Sequence, residues 1–433
     1  MRKKVSFTVP DIVSFKQSLL NWSQQYYEVV WLDSNGHKSK YSSFDGMIAV
    51  DALTSIVTDT QNAFEDLSNY QSNTKDWIFG YLSYDLKNDT ELLSSSNTDS
   101  LNFPALYFFQ PKKLIEIEGT TVTFRYLNMV ADEIEEDFKN ILEAPTPFAP
   151  ELGNNSDIKI KLRIFKDEYF SRVNKMLNHI HRGDIYEANF CQEFYAENTE
   201  IDALKTYLKL NSITRAPFSA FLKINDKYLL SSSPERYIRK LGNKVISQPI
   251  KGTAKRSSNP IEDQLLVKAL EKDEKERAEN IMIVDLVRND LSKSALKGSV
   301  EVEELCKVYS FDQVHQMIST VTAEVSNTKD PVDIIKETFP MGSMTGAPKV
   351  SAMRIIEELE ASKRGLYSGT VGYFTPENDF DFNVVIRSIL YNHTAQYVSF
   401  SVGSAITAMA IPEKEYEECL LKAKAMRQVL ENL

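Results

Sequence analysis

Residues 228–256 read YLLSSSPERYIRKLGNKVISQPIKGTAKR, and the predictions for the rest of the chain start from this stretch. The runs 228–233 and 244–250 have the apolar and β-branched character of short strands. The four residues 241–244 between them include Gly and Asn, which tolerate the positive φ of a tight turn. The stretch is therefore predicted to form a β-hairpin from YLLSSS and KVISQPI.

The predicted hairpin carries a carboxylate, Glu235, about level with an amine, Lys251. A strict two-residue turn would place them on opposite faces, so a three-residue loop or a β-bulge is expected to bring both to one side. Taken singly, each is most often a solvated side chain. Lys251, however, lies between an apolar run and a glycine, where burial and the cations Lys255 and Arg256 are expected to lower its pKa. The free amine could then act as a nucleophile while Glu235 gives a proton to a leaving hydroxyl.

The composition is that of a globular protein without nucleic-acid-binding character. Of the 433 residues, 42% are hydrophobic and 26% charged, which is enough for one large or two ordinary domains. The net charge of −11 argues against non-specific nucleic-acid binding.

Cys191, Cys306 and Cys419 are far apart and indicate neither a disulfide framework nor a zinc site. No run reaches the ~18 apolar residues of a membrane span, so a cytoplasmic protein is expected.

Two regions differ in pattern. Residues 1–150 alternate apolar runs with polar turns, which predicts mostly strands with a helix near residues 51–67, and they contain no cluster of catalytic residue types. Residues 144–157, APTPFAPELGNNSD, concentrate Pro, Gly and Asn as a linker does. A boundary is predicted there, with a catalytic region at 158–433, although the two regions could form one continuous body.

Two predicted helices each carry a pair of glutamates three residues apart. Residues 261–292 are predicted to form one long helix with Glu276 and Glu279 on the same face, and Glu415 and Glu418 repeat this spacing near the end of the chain. Acidic helix faces are most often solvated. Two such helices could instead bring four carboxylates to one cavity, and hard oxygen ligands of this kind suit Mg²⁺.

A second group of residues could bind an anion. The small-residue loop FPMGSMTGAP, residues 339–348, precedes a predicted helix that starts near Pro348, and the N–H groups of such a helix terminus attract a carboxylate. Arg387, in the strand-like run FNVVIRSIL, has a forked donor that suits a planar carboxylate, or it could pair with a surface acid.

Six motifs resemble, in the same order, the signatures of the chorismate-utilising enzymes, and the match covers about residues 165–430. They are SSSPERY, PIKGTAKR, ERAENIMIVDLVRNDLSK, FPMGSMTGAPKVSAMRIIEELE, SGTVGYF and EYEECLLKAKAM. This family includes anthranilate synthase component I, aminodeoxychorismate synthase component I, isochorismate synthase and salicylate synthase. The resemblance implies an α+β fold of two packed, mainly antiparallel β-sheets with helices outside and a cleft between the sheets.

Three positions separate the members of this family. Anthranilate synthases carry Ala in the corresponding PIAGT, whereas aminodeoxychorismate synthases carry PIKGT, the form that contains Lys251. Isochorismate and salicylate synthases place a lysine base, and ammonia-using relatives generally a Gln, where this chain has Glu187, so the residue argues against water addition. Gln316 stands where many relatives have a second His, tied in anthranilate synthases to pyruvate expulsion, which fits an enzyme that stops before elimination.

The resemblance therefore implies the activity of an aminodeoxychorismate synthase component I. This enzyme converts chorismate and ammonia to 4-amino-4-deoxychorismate, the branch step toward 4-aminobenzoate and folate. Lys251 would attack C2 as Glu235 protonates the departing C4 hydroxyl, and ammonia would then enter at C4. Because no cysteine has a glutaminase-type surround, a separate glutamine amidotransferase subunit is expected to supply ammonia. Anthranilate synthase component I and a non-catalytic chorismate-binding subunit remain alternatives.

The resemblance also implies ligand roles. Mg²⁺ would bind Glu279 and Glu418, with Glu276 and Glu415 holding water around the ion. Residues 1–150 resemble the N-terminal region of component I proteins, some of which bind tryptophan there, so both a structural role and a bound effector stay open. The residues implied in binding the substrate are Thr345, Tyr373, Arg387, Gly403 and Lys422.

Overall fold

The computed structural model of the protein describes residues 1–42, 44–145 and 158–431. The strands are β1 (Arg2–Thr8), β2 (Glu28–Asp33), β3 (Gly46–Thr58), β4 (Ile78–Leu82), β5 (Leu106–Glu118), β6 (Thr121–Leu127), β7 (Lys161–Leu162), β8 (Glu187–Ala196), β9 (Phe218–Ile224), β10 (Lys227–Ser233), β11 (Arg236–Leu241), β12 (Lys244–Gln248), β13 (Ile250–Lys255), β14 (Glu301–Ser310), β15 (Val314–Glu324), β16 (Gly346–Ala347), β17 (Thr370–Phe374), β18 (Phe380–Asn383), β19 (Ser388–Asn392) and β20 (Tyr397–Thr407). The α-helices are α1 (Ile12–Ser23), α2 (Ala63–Thr74), α3 (Lys87–Thr90), α4 (Ile134–Glu143), α5 (Lys166–Arg182), α6 (Ala203–Thr214), α7 (Pro260–Lys272), α8 (Glu274–Ser292), α9 (Pro331–Thr338), α10 (Lys349–Leu359) and α11 (Pro412–Leu430).

The strands form two connected antiparallel sheets. The first runs β1-β6-β5-β3-β2-β9-β10-β19-β20-β8. The second runs β5-β4-β17-β18-β11-β12-β15, with β13 and β14 also paired to β15. The long strand β5 joins the sheets, because its first half pairs with β4 and its second half with β6. The predicted α+β class with mainly antiparallel sheets is confirmed.

Alternating side chains divide the interior into two cores. In β2, Val29 and Trp31 pack with residues of the outer helices, whereas Val30 and Leu32 pack with residues of the second sheet such as Phe382. Successive side chains of a strand point to opposite faces, so one strand can serve both cores. The first sheet is therefore covered by helices on one face and by the second sheet on the other.

Strands from both regions of the chain share these sheets. In the first sheet β2 pairs with β9, and in the second β4 pairs with β17. Most of the predicted linker, residues 146–157, lies outside the described residues, so the boundary there stays a prediction. Among the described helices, none has the length and apolar content needed to cross a membrane.

The predicted hairpin has a different first strand. YLLSSS belongs to β10, which pairs with β9 and β19, and the partner of β12 across the turn is β11. Gly242, with φ of +57°, and Asn243 form a two-residue turn, and the expected bulge occurs between Arg236 and Arg239. Pro234 lacks an N–H for the ladder, so the chain leaves the first sheet at this point and enters the second.

Two predicted helices also differ from the structure. The segment 51–67 was expected to be helical, but β3 continues to Thr58 and α2 begins only at Ala63. The helix predicted over 261–292 is divided into α7 and α8. Asp273 causes the break, because it adopts an extended conformation and its side chain accepts a hydrogen bond from the Glu276 N–H as an N-cap.

Candidate active site

Glu235 lies where the chain passes from β10 in one sheet to β11 in the other. Its side chain is 5% exposed, and its backbone carbonyl accepts a hydrogen bond from the Val384 N–H. Burial raises the pKa of Glu235 to about 7, although Ser343, Lys251 and Arg387 favour the ionised form. Such a carboxyl group carries a proton near neutral pH, as a general acid must.

Lys251 lies near the start of β13, with its side chain 16% exposed and its Nζ 3.5 Å from Oε1 of Glu187. Burial alone lowers the pKa of this amine, but facing carboxylates outweigh burial and the pKa lies above its ordinary value. These carboxylates are Glu187, Glu279, Glu418 and Glu235. The structure thus brings the predicted acid and amine to one site.

The prediction that neighbouring cations lower the pKa of Lys251 is wrong. Arg256 is engaged elsewhere, with Nη2 2.9 Å from Oδ2 of Asp263, and Lys255 is exposed. The side chains that face the Lys251 amine come from distant parts of the chain, and they are acidic.

Gly252 allows the chain to turn directly after Lys251. Its φ is +94°, in a region that residues with a Cβ rarely adopt. An added Cβ would lie 3.2 Å from Cβ of Met317 and 3.3 Å from the side chain of Glu276. The pairing of β13 with β15 is irregular at this point, between Ile250 and Thr253. A glycine is therefore required beside the amine.

The glutamates of the two acidic helices influence one another electrostatically. Glu276 and Glu279 on α8 interact electrostatically with Glu418 on α11, and Glu415 interacts with Glu279. Burial, followed by repulsion from neighbouring carboxylates, raises the pKa of Glu276, Glu279 and Glu415. A cation would relieve this repulsion.

A metal site at these helices stays a prediction. No group of three His, Cys, Asp or Glu side chains within the described ranges is arranged to hold a metal ion. Mg²⁺ commonly takes one or two carboxylates and keeps several water molecules. Glu279 and Glu418, from different helices, could supply such a pair.

Lys422 connects Glu418 to Gly403. Its Nζ lies 2.7 Å from Oε1 of Glu418 and donates a hydrogen bond of 2.8 Å to the Gly403 carbonyl. Partial burial would raise the pKa of Glu418, whose side chain is 46% exposed, but Lys422 lowers it below its ordinary value. Gly403 allows β20 to approach β8, because a Cβ there would lie 2.5 Å from Oδ1 of Asn189 and 2.7 Å from Sγ of Cys191.

Thr345 lies in the small-residue loop, next to the strand that carries Glu187. Its hydroxyl donates to the Gly342 carbonyl at 3.2 Å, and its own carbonyl accepts the Asn189 N–H at 2.8 Å. Helix α10 follows at Lys349, close to the predicted start. The loop therefore reaches the predicted site, and the Thr345 hydroxyl is hydrogen-bonded to a backbone carbonyl within the same loop.

Arg387 faces Glu235 from a break between strands. The run FNVVIRSIL was expected to be one strand, but it is divided into β18 and β19, and Arg387 has φ of +50° between them. Burial lowers the pKa of its guanidinium, and Glu235 opposes this shift. The unusual backbone conformation directs this residue to the acid.

Tyr373 lines a cavity that reaches the chain neighbours of Glu235 and Lys251. Its ring packs against Phe44, Trp77 and Phe79, and the cavity, of about 290 Å³, is also lined by Pro234 and Ile250. Leu32, Asp33 and Ser34, from the N-terminal region for which a bound effector stays open, also line this cavity. The binding of an effector there stays a prediction.

Sequence reasoning did not identify Ser343, whose hydroxyl favours the ionised form of Glu235. It is a small polar residue in the tight turn Gly342–Met344. Serine is common in such turns because its hydroxyl can hydrogen-bond to nearby backbone groups. No sequence signal distinguishes this serine from its neighbours.

Replacing Glu235 by glutamine is expected to make stability less dependent on pH. The native carboxyl ionises near pH 7 and the unfolded one near its ordinary value of 4.5, so the native state binds more protons between these values and loses stability as pH rises. The advantage of E235Q in free energy of unfolding should therefore grow by roughly 2–3 kcal/mol between about pH 5 and about pH 8. Denaturant unfolding at both pH values measures it, with the exposed Glu377→Gln as control. A pH-independent difference would contradict this account.

Comparisons with known proteins identify the family of the chain. The family model of chorismate binding enzymes matches residues 27–428. The chain is 38% identical over 389 residues to "Probable aminodeoxychorismate synthase, chloroplastic" of Oryza sativa subsp. japonica, covering 81% of this chain and 43% of that protein. It is 40% identical over 265 residues to aminodeoxychorismate synthase component 1 of Salmonella typhimurium, covering 61% and 58%. It is 32% identical over 359 residues to anthranilate synthase component 1 of Thermus thermophilus, covering 82% and 77%.

The chain spans only about half the length of the first relatives that it matches, 43% and 50%. Among solved structures, anthranilate synthase component I from Streptococcus pneumoniae superposes with a TM-score of 0.78 at 24% identity, covering 90% of this chain and 94% of that one. The menaquinone-specific isochorismate synthase from Escherichia coli superposes with a TM-score of 0.77 at 17% identity, covering 99% and 95%. At these identities the structures support the fold alone. Because the family model covers most of its length, the chain belongs to the family of chorismate binding enzymes.

Proposed function

We propose that this chain is the chorismate-binding component of an aminodeoxychorismate synthase, forming 4-amino-4-deoxychorismate for 4-aminobenzoate and folate synthesis. The observation that carries the proposal is the partly buried amine of Lys251 in the same site as the protonatable carboxyl of Glu235. Relatives named aminodeoxychorismate synthase, at 36–40% identity, support it.

In the proposed reaction Lys251 and Glu235 act together. The neutral amine bonds to C2 of chorismate, the ring double bonds shift, and the C4–O bond breaks as Glu235 gives its proton to the departing hydroxyl, which leaves as water. Ammonia then bonds to C4 and the C2–Nζ bond breaks. A covalent intermediate replaces one difficult displacement by two easier ones.

The four glutamates of α8 and α11 are proposed to provide the metal site. Glu279 and Glu418 would hold Mg²⁺, with water held by Glu276 and Glu415. The bound ion would bind a substrate carboxylate, polarise the ring and neutralise two of the carboxylates that face Lys251. The residues proposed to complete the binding of the substrate are Thr345, Tyr373, Arg387, Gly403 and Lys422.

Ammonia is proposed to come from a glutamine amidotransferase partner. The name component 1 of two relatives implies that those enzymes have a further component. The match to this chain covers 58% of the length of each. The buried thiols of Cys191, Cys306 and Cys419 are unsuited to glutamine hydrolysis, because a nucleophilic cysteine needs access and a lowered pKa. Burial instead raises the pKa of all three.

One incubation tests the proposal. The purified chain is mixed with chorismate, Mg²⁺ and ammonium, and the product is identified by mass. We expect 4-amino-4-deoxychorismate. Anthranilate as the product would instead identify an anthranilate synthase component, a candidate favoured by relatives of that name at 32% identity. Unchanged chorismate would indicate a non-catalytic chorismate-binding subunit.

A further inference from the structure

Glu187 forms the ion pair with Lys251, and the function proposed above leaves it without a role. It begins β8, is 2% exposed, and pairs through its backbone with Ala347 of β16 and Thr407 of β20. One carboxylate oxygen, Oε1, lies 3.5 Å from Nζ of Lys251. The other, Oε2, is buried and has no hydrogen-bond partner among the residues that the structure describes.

A structural role does not account for this carboxylate. A buried ionised group costs free energy unless its hydrogen-bonding capacity is satisfied. Glu193 on the same strand meets this condition, because its two oxygens accept hydrogen bonds from Nε of Arg163 at 3.0 Å and from the Tyr397 hydroxyl at 2.7 Å. In Glu187, by contrast, one carboxylate oxygen has no hydrogen-bond partner and the other lies 3.5 Å from the reactive amine.

Each other carboxylate that faces Lys251 has a different task or partner. Glu235 must hold a proton for the leaving hydroxyl. Glu279 lies 3.7 Å from Nζ of Lys275, and Glu418 lies 2.7 Å from Nζ of Lys422. Both are also the proposed metal ligands. Glu187 is therefore the carboxylate that is available to exchange a proton with the Lys251 nitrogen.

We propose, on the basis of the function above, that Glu187 positions the Lys251 amine and accepts the proton that this nitrogen must lose before it can bond to C2. The Nζ–C2 bond then forms and the C4–O bond breaks as Glu235 protonates the hydroxyl, which leaves as water, and Nζ remains a secondary ammonium. When ammonia bonds to C4 and the C2–Nζ bond breaks, Glu187 returns that proton to Nζ. Glu235 takes the surplus proton of the ammonia. The sum is chorismate plus ammonia to 4-amino-4-deoxychorismate plus water.

The substitution Glu187→Gln tests this role, because glutamine keeps the size and one acceptor oxygen but takes no proton. Chorismate and Mg²⁺ are mixed with the chain without ammonia, and the Lys251 adduct, chorismate minus water, is followed by rapid quenching and mass. E187Q is expected to form the adduct about a hundredfold more slowly, with little change in KM for chorismate. The test also measures what a carboxylate adds over the glutamine that ammonia-using relatives generally carry.

Two further variants show whether a slower adduct formation is caused by the missing proton acceptor or by altered folding. Glu193→Gln removes another buried carboxylate from β8 and should leave the adduct rate unchanged. In folded Glu187→Ala, added formate should restore part of the lost rate, since it can occupy the vacated space and take the proton. An E187Q rate within about twofold of wild type, or no restoration by formate, would overturn this inference alone. A wild-type chain that forms no Lys251 adduct would overturn the proposed function as well.

Discussion

Lys251→Ala is expected to lower the rate of 4-amino-4-deoxychorismate formation at least about a thousandfold, equivalent to about 4 kcal/mol of activation free energy. The amine is proposed to bond to the substrate, and neither Lys255 nor Lys422 can replace it, because Lys255 is exposed and Lys422 is bonded to Glu418 and Gly403. Product formation is measured by mass with chorismate, Mg²⁺ and ammonium. Lys255→Ala, on the same strand, should keep full activity.

Lys251→Arg separates nucleophilic action from a requirement for positive charge. The guanidinium keeps the charge that the facing carboxylates stabilise, but it does not lose its proton in proteins and so cannot attack. We expect this variant to fold like the wild type and to be as inactive as Lys251→Ala. Substantial activity in Lys251→Arg would mean that the residue acts only through its charge.

Glu279→Gln and Glu418→Gln are expected to weaken Mg²⁺ binding and to lower the rate of product formation at least about a hundredfold each. The reason is that each substitution removes one of two proposed ligands, and an amide oxygen is a poorer ligand for a hard cation. Mg²⁺ binding by calorimetry gives a readout independent of activity. Glu417→Gln, at an exposed position on α11 next to Glu418, should change neither quantity.

The same substitutions should affect stability in the absence of Mg²⁺. Burial and neighbouring carboxylates raise the pKa of Glu279, so its charge is unfavourable in the folded protein. Glu279→Gln is therefore expected to raise the unfolding temperature at neutral pH and to abolish the Mg²⁺-dependent increase that is expected for wild type. If Mg²⁺ stabilised Glu279→Gln as much as wild type, the ion would bind elsewhere.

Local patterns predicted those features that depend on neighbouring residues. The glutamates three residues apart on α8 and α11 share a helix face because of the period of the helix. The order of the motifs indicated the family, which the comparisons confirmed, and it indicated the antiparallel α+β fold. The bulge near Glu235 was expected because an acid and an amine on one hairpin must face the same side.

Features that depend on contacts between distant residues required the folded structure. The pKa of Lys251 is raised by carboxylates on β8, on α8, on α11 and between β10 and β11, where Glu235 lies. The adjacent cations Lys255 and Arg256 are not among the groups that shift it. Likewise, only the fold brought Glu187 within 3.5 Å of Lys251. Electrostatic interaction depends on distance in space and on burial, and neither quantity can be calculated from separation along the chain.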